Sequence, residues 1–128
     1  MKKFLIPLLI LALLLPGCAE KTKDATYRQV SMEEAMQIME ESSDYQILDV
    51  RTQEEFDSGH IPGAICIPNE SISPDVLQQL PDKNQLLLVY CRSGNRSKQA
   101  SQKLAGLGYS NVVEFGGIRD WPGEIETN

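Results

Sequence analysis

The sequence predicts an α/β fold on a mostly parallel sheet, because strand patterns alternate with helix patterns along most of the chain. Residues 85–90 are almost entirely apolar, which is typical of a strand buried on both faces at the centre of a parallel sheet. The length of 128 residues leaves room for one domain. A hydrophobic share of 41% is that of a globular protein rather than a disordered one.

The folded part is expected to open with a helix. A capping box from Ser31 to Glu34 begins that helix, whose apolar positions recur at helical spacing. A short buried strand is predicted over residues 45–50. A second capping box, Thr52 to Glu55, starts a short helix ending near Gly59, and residues 64–67 form the next strand.

The second half repeats the alternation. Ser73 and Pro74 predict the cap and first position of a helix. After the central strand comes a helix with Gly108 as its expected C-terminal cap. The last strand spans 112–115, and Gly116-Gly117 predicts a turn.

Charge and cysteine content argue against two other classes of protein. The chain has 12 basic and 18 acidic residues, a formal net charge of −6, whereas nucleic-acid binding needs a basic surface. Three cysteines are too few for a disulfide-stabilised scaffold.

Residues 1–17 read as a secretory signal. Lys2 and Lys3 precede an apolar run, Phe4 to Leu15, that is too short to span a bilayer as a helix, which needs about 20 residues. The alternatives are a membrane anchor that is retained or a buried helix. Without residues 1–17, 10 basic and 18 acidic residues remain, a net charge of −8.

The signal ends in Leu15-Pro16-Gly17-Cys18, which resembles the lipobox of bacterial lipoproteins. The resemblance implies that Cys18 is the first mature residue and carries a lipid. The lipid would hold the domain at a bacterial membrane outside the cytoplasm, in the periplasm or at the cell surface. Pro16 departs from the usual small residue, and a plain secretory signal is the alternative. Residues 18–26 are then a polar tether and 27–128 the folded domain.

One loop collects the features of a reactive site. The central strand runs directly into Cys91-Arg92-Ser93-Gly94-Asn95-Arg96-Ser97, and a helix follows at once. In open parallel sheets, ligands bind beyond the carboxyl ends of strands. The helix N-terminus offers unpaired N–H groups and a partial positive charge there. We expect Gly94 to turn successive amides toward one point and Ser97 to cap the helix.

Cys91 is the expected nucleophile of this loop. A helix N-terminus and nearby arginines lower the pKa of a cysteine, and the thiolate is the reactive form. Arg92 and Arg96 supply two such charges. The alternative is an inert cysteine buried at a strand end.

Three groups of residues resemble the rhodanese family. They are Leu48-Asp49-Val50-Arg51 with Gly59-His60-Ile61-Pro62-Gly63-Ala64, then Val89 to Ser97, then Gly116-Gly117 with Trp121. The resemblance covers about residues 27–123, and several motifs in order are a stronger signal than one short pattern.

The resemblance implies a rhodanese-like fold, with a five-stranded parallel sheet flanked by helices on both faces. It also implies a thiosulfate sulfurtransferase, in which Cys91 takes sulfur from a donor such as thiosulfate as a persulfide and passes it to a thiol or cyanide. The loop amides with Arg92 and Arg96 would bind the persulfide and the leaving sulfite. No metal or organic cofactor is implied. The expected substrate-binding residues are Arg92, Ser93, Gly94, Asn95, Arg96 and Ser97.

Two other functions remain open at this point. The fold also serves as a binding or redox-sensing module, although inactive members typically lack the cysteine that this chain has at position 91. Related phosphatases have one residue more than the four between Cys91 and Arg96, and they are disfavoured for that reason.

Other polar or reactive residues are expected to support the fold. Asp49 and Arg51 would support the site without reacting. His60 is expected to be structural and Cys66 to lie in the core, while a disulfide between Cys66 and Cys91 remains open.

Overall fold

The computed structural model describes residues 26–128. The signal predicted over 1–17, the lipid predicted on Cys18 and nearly all of the tether lie outside the described residues. Those described form one five-stranded sheet in the order β1-β5-β4-β2-β3, with every neighbouring pair parallel. The strands are β1 (Arg28–Gln29), β2 (Tyr45–Asp49), β3 (Ala64–Cys66), β4 (Leu86–Cys91) and β5 (Val112–Gly117). The α-helices are α1 (Met32–Glu41), α2 (Gln53–Ser58) and α3 (Asn95–Gly106).

The predicted capping residues begin the first two helices. The Ser31 hydroxyl accepts a hydrogen bond from the backbone N–H of Glu34 at 3.1 Å. At α2 the box is reciprocal, because Thr52 accepts from the amide of Glu55 while the Glu55 carboxylate accepts from that of Thr52. These bonds satisfy N–H groups that have no partner within a helix.

The predicted cap at Ser73 and first helical position at Pro74 are confirmed, and the helix that they begin, Pro74–Gln78, is a 3₁₀ helix. A segment this short takes the tighter i→i+3 bonding of the 3₁₀ form. The prediction of a turn at Gly116-Gly117 was wrong. They are the last residues of β5, and Gly117 pairs with Cys91 across a register shift.

Helices cover both faces of the sheet, as expected. Side chains of β4 alternate between two cores: Leu87 and Val89 pack on the face covered by α3, and Leu88 and Tyr90 on the face covered by α1 and α2. Leu87, Leu88 and Val89 are fully buried, and burying each such side chain contributes about 1.5–3 kcal/mol. The strand that ends in Cys91 is therefore firmly anchored.

The remaining two 3₁₀ helices are Asn69–Ser71 and Ile118–Asp120. The second of these follows β5 directly and lies beside the loop after β4, since the backbone N–H of Arg119 donates to the Arg92 carbonyl at 3.3 Å. Among residues 26–128, no helix has both the length and the apolar character needed to cross a membrane.

Candidate active site

The connection between β4 and α3 is very short. Cys91 ends the strand and Asn95 begins the helix, so Arg92, Ser93 and Gly94 alone join them. Gly94 is the N-cap of α3 with φ = +110°, a left-handed conformation that glycine adopts without steric cost. It has no side chain to cap the helix, so the first N–H groups of α3 face the loop without a side-chain cap.

Ser97 was predicted to cap this helix, and the structure places it differently. It is the third residue of α3, and its hydroxyl oxygen lies 2.9 Å from the Gly94 carbonyl oxygen and 2.7 Å from the Glu114 carboxylate. The helix begins earlier than the prediction assumed, because Gly94 completes the turn. Ser97 therefore points toward Cys91 from inside the first turn.

The Cys91 sulfur lies among hydrogen-bond donors. Its Sγ accepts a bond from the backbone N–H of Gly94 at 3.0 Å and lies 3.4 Å from the Ser97 hydroxyl. Burial by itself would raise the pKa of this thiol. Hydrogen bonds from the Ser97 hydroxyl and from the amides of Ser97, Gly94 and Ser93 outweigh burial and hold the pKa below its ordinary value. The arrangement favours a thiolate, the form that attacks electrophilic sulfur.

Close approach of β5 to the loop depends on Gly117. A Cβ at this position would collide with the Arg92 carbonyl and crowd the Ser93 amide. The glycine is therefore needed for packing, although the sequence analysis assigned it to a turn. Ser93 and Asn95, both predicted to bind substrate, are exposed in the loop and at the start of α3.

The two loop arginines have different environments. Arg96 forms a two-point ion pair with Glu55 of α2, with Nη1 to Oε1 at 2.6 Å and Nη2 to Oε2 at 3.0 Å. Hydrogen bonding to Arg96 is the main cause that lowers the pKa of Glu55 to about 2. Much of the Arg96 charge is therefore balanced within the protein. By contrast, Arg92 is exposed and lines a cavity of about 330 Å³ with Arg119 and Arg51.

Asp49 and Arg51 form a buried pair at the end of β2. Arg51 contacts both carboxylate oxygens of Asp49, the closest at 2.6 Å, and donates to the Gly59 carbonyl at 2.6 Å. The Tyr90 hydroxyl donates to Asp49 at 2.7 Å. No hydrogen bond found within residues 26–128 joins either member to Cys91. The pair fastens the strand end to the end of α2, the helix that carries the partner of Arg96.

Glu114 is a site residue that the sequence analysis missed. It belongs to β5 and is 3% exposed, yet its Oε1 accepts bonds from the Ser97 hydroxyl at 2.7 Å and the Gly116 amide at 2.8 Å. The one available signal was a charged residue inside an otherwise apolar final strand.

Cys66 and Cys91 are both free thiols, so the disulfide left open by the sequence is absent between them. Their Cα atoms belong to β3 and β4, which are separated by β2. Two strand spacings amount to about 9–10 Å, whereas a disulfide needs Cα atoms within about 7 Å. Burial is the main cause that raises the pKa of the Cys66 thiol to about 11.

His60 is buried and stacked on the Phe56 ring, with ring centroids 3.8 Å apart. Its Nδ1 lies 2.9 Å from the Phe56 carbonyl oxygen. These contacts are consistent with the structural role expected of it. Within residues 26–128, His, Cys, Asp and Glu side chains form no group of three or more placed to hold a metal ion.

Together these features define an α/β domain that presents a cysteine of lowered pKa at a helix N-terminus, beyond the central strand of a parallel sheet. Residues 31–124 match the family model described as the rhodanese-like domain. The chain belongs to the rhodanese family.

Named relatives and solved structures agree with this assignment. Thiosulfate sulfurtransferase PspE of Escherichia coli is 38% identical over 73 residues, which cover 57% of this chain and 70% of that protein. Thiosulfate sulfurtransferase GlpE of Pseudomonas syringae is 32% identical, covering 74% and 87%. A rhodanese-like domain protein from Staphylococcus aureus superposes with a TM-score of 0.69 at 34% identity, covering 79% and 98%. Two further curated relatives are longer, and the match spans 22% of one and 52% of the other.

Proposed function

We propose that this protein is a sulfurtransferase that moves a sulfane sulfur from a donor such as thiosulfate to a thiol or cyanide, through a persulfide on Cys91. The observation that carries the proposal is the Cys91 sulfur, held 3.0 Å from the Gly94 amide at the N-terminus of α3, which no side chain caps. The names of the relatives PspE and GlpE support thiosulfate as the donor.

The reaction proceeds in two displacement steps. The Cys91 thiolate attacks the outer sulfur of the donor, a new S–S bond forms, and sulfite leaves with the electron pair of the broken S–S bond. The amides of Ser93 and Gly94 then bind the terminal sulfur anion of the persulfide. In the second step the acceptor attacks that terminal sulfur, and Cys91 leaves as a thiolate.

Anionic donors need local attraction, because the chain is acidic overall. Arg92 lies next to the nucleophile and lines a cavity with Arg119. We propose that these two guanidinium groups bind the sulfonate part of the donor. Arg96, which was expected to do so, is engaged by Glu55 and serves to hold the loop against α2.

A direct experiment is intact-mass analysis after incubation with thiosulfate. The purified chain is expected to gain one sulfur atom on Cys91 and to lose it when cyanide is added. Cys91→Ser is the negative control, and Cys66→Ser is the matched control that keeps the proposed nucleophile. Absence of sulfur uptake from thiosulfate, or equal uptake by Cys91→Ser, contradicts the proposal.

For localisation, we propose a lipid anchor on Cys18 that places the domain outside the cytoplasm of a bacterial cell. Support comes from the basic, apolar and lipobox-like segments of residues 1–18. Cys18→Ala is expected to move the protein from the membrane fraction to the soluble fraction. Unchanged fractionation would refute the anchor.

A further inference from the structure

The carboxylate of Glu114 has an unusual environment for a buried charge. It is 3% exposed, and no Lys, Arg or His nitrogen within residues 26–128 lies within 4.0 Å of it. Its strongest contacts are the Ser97 hydroxyl at 2.7 Å and the Gly116 amide at 2.8 Å on Oε1. The other oxygen receives only a 3.5 Å contact from Gln29. A buried carboxylate without a cation is costly even when it is hydrogen-bonded, and a proton on the carboxylate removes that cost.

Ser97 connects this carboxylate to the nucleophile. Its hydroxyl lies 2.7 Å from Glu114, 2.9 Å from the Gly94 carbonyl oxygen and 3.4 Å from the Cys91 sulfur, and it has one proton to donate. The Glu114 carboxylate is the nearest of these acceptors and the only one that carries a charge when Cys91 is a thiol. When Glu114 is ionised, a short charge-assisted bond holds that proton, and Ser97 can only accept from a Cys91 thiol. Ser97 can donate to a Cys91 thiolate only when Glu114 is neutral and donates to Ser97 in turn.

We propose that Glu114 is a positioning residue for sulfur transfer, and that Cys91 and Glu114 share one proton through the Ser97 hydroxyl. In one arrangement Cys91 is a thiol and Glu114 a carboxylate. In the other the Cys91 proton has moved to Ser97, the Ser97 proton has moved to Glu114, and Cys91 is a thiolate. Both arrangements contain the same number of protons and one negative charge.

The shared proton acts in both steps of the proposed reaction. This use of the proton rests on the proposed function, whereas the sharing of the proton does not. As Cys91 attacks the donor, its proton passes to Ser97 while the Ser97 proton passes to Glu114, so the incoming anion meets one negative charge rather than two. When the acceptor removes the sulfur, Cys91 leaves with the electron pair of the broken S–S bond. The proton then returns from Glu114 through Ser97, so the site needs no proton from solvent.

Other charged groups surround the pair. On α3, Arg96 faces Cys91 and is paired with Glu55 of α2. Lys98, also on α3, lines a cavity of about 320 Å³ that Glu114 lines as well. Asp120 of the last 3₁₀ helix lines the same cavity. The side chain that β1 contributes, Gln29, is uncharged. Asp120 supplies a matched control, since it is exposed and no hydrogen bond found in the described part joins it to Ser97.

The test is the pH dependence of Cys91 alkylation by iodoacetamide in the full chain, followed by peptide mass analysis. Two coupled groups titrate in two macroscopic steps, so the wild-type curve is expected to show a plateau between two rises. Glu114→Gln keeps an acceptor for Ser97 and removes the shared proton, so a single rise is expected. This variant should react faster than wild type at acidic pH. At pH values above the upper wild-type step, Glu114→Gln should react more slowly than wild type. The rate should fall about threefold for each pH unit by which the midpoint of Glu114→Gln lies below that upper step, because the nucleophilicity of a thiolate declines with its pKa.

A control variant and the number of titration steps separate this role from a merely structural one. Asp120→Asn is expected to keep both steps. A damaged site would lower the rate at every pH without changing the number of steps, and that result in Glu114→Gln would overturn the proposal. Alkylation requires no sulfur transfer, so the result is independent of the proposed function.

A second measurement covers the case in which Glu114→Gln does not fold. The infrared spectrum of the wild-type chain near neutral pH should contain the carbonyl band of a protonated carboxylic acid, which should disappear when Cys91→Ser removes the thiolate partner. A wild-type spectrum without this band at the plateau pH would overturn the shared proton.

Discussion

Two cysteines stand at the carboxyl ends of parallel strands in this sheet, and their environments differ sharply. Cys66 ends β3, and its pKa is raised to about 11, mainly by burial and further by the charge of Asp49. Cys91 ends β4, and its pKa is lowered although burial opposes the shift. The chain that follows makes the difference. Pro68 follows Cys66 after one residue and has no N–H, whereas the short Arg92–Gly94 connection turns its own amides and that of Ser97 toward Cys91.

A position at the carboxyl end of a strand therefore does not by itself activate a thiol. The Cys66 sulfur contacts a backbone carbonyl, that of Arg51 at 3.6 Å, so its local bond favours the protonated form. The Cys91 sulfur contacts donors, which favour the thiolate.

Exchanging Cys91, the proposed nucleophile, should have the largest effect. Cys91→Ser is expected to reduce thiosulfate:cyanide sulfur transfer by on the order of 10³-fold or more, because the serine hydroxyl does not ionise near neutral pH. Cys66→Ser should change the rate by no more than about twofold, since its thiol lies on the other side of β2. Thiocyanate production measures both. A large loss in Cys66→Ser would break the distinction between the two thiols.

Replacing the glycine that turns the loop should have the next largest effect. Gly94→Ala places a side chain at φ = +110°, which costs about 1–2 kcal/mol and displaces the amide that contacts Cys91. We expect the pKa of Cys91 to rise and its alkylation at neutral pH to slow roughly tenfold. Stopped-flow alkylation gives the rate.

Gly106→Ala is the matched control for this change. Gly106 lies in α3 with no atom within 4 Å of an added Cβ, and alanine there should stabilise the helix by about 0.5–1 kcal/mol. Equal slowing in the two variants would show that the loop amides are not what activates Cys91.

Releasing Arg96 should have the smallest effect. Glu55→Gln removes the ion pair, so the free guanidinium should speed Cys91 alkylation about twofold below the pKa of the thiol and cost about 0.5–1 kcal/mol of stability. Glu54→Gln, on the same helix, controls for the charge change.

The contribution of the Glu55–Arg96 ion pair to the stability of the fold should also depend on pH. The pKa of Glu55 is about 2 in the folded protein against an ordinary 4.5, so its contribution is complete above pH 4.5 and is lost as the pH falls toward 2. Urea unfolding at neutral and acidic pH should show the difference between wild type and Glu55→Gln shrinking in acid. A difference that grows in acid contradicts this account.

The sequence predicted the features that are formed by residues close together along the chain. Alternating patterns placed β2 to β5, and the contiguous stretch from Cys91 to Ser97 held nucleophile, glycine and arginines together. β1 is two exposed residues, too short for any periodicity, and only the family resemblance implied a fifth strand.

Contacts between distant residues could not be predicted. Arg96 and Glu55 are 41 residues apart, as are Tyr90 and Asp49, and Glu114 is 17 residues from Ser97. Each pairing depends on strand order and register, which residue patterns do not specify. The ion pair of Arg96 with Glu55 is such a contact, and it is the reason why we propose Arg92 and Arg119 rather than Arg96 for the donor.

The most direct test of the account compares the two thiols in one protein. Iodoacetamide alkylation of the full chain is followed across pH, with Cys66 and Cys91 resolved by peptide mass analysis. We predict that Cys91 reaches half its maximal rate at a lower pH than an ordinary thiol, whereas Cys66 does so only near pH 11. If the two thiols titrate together, or if Cys66 reacts at the lower pH, the claim that the loop after β4 activates Cys91 is contradicted.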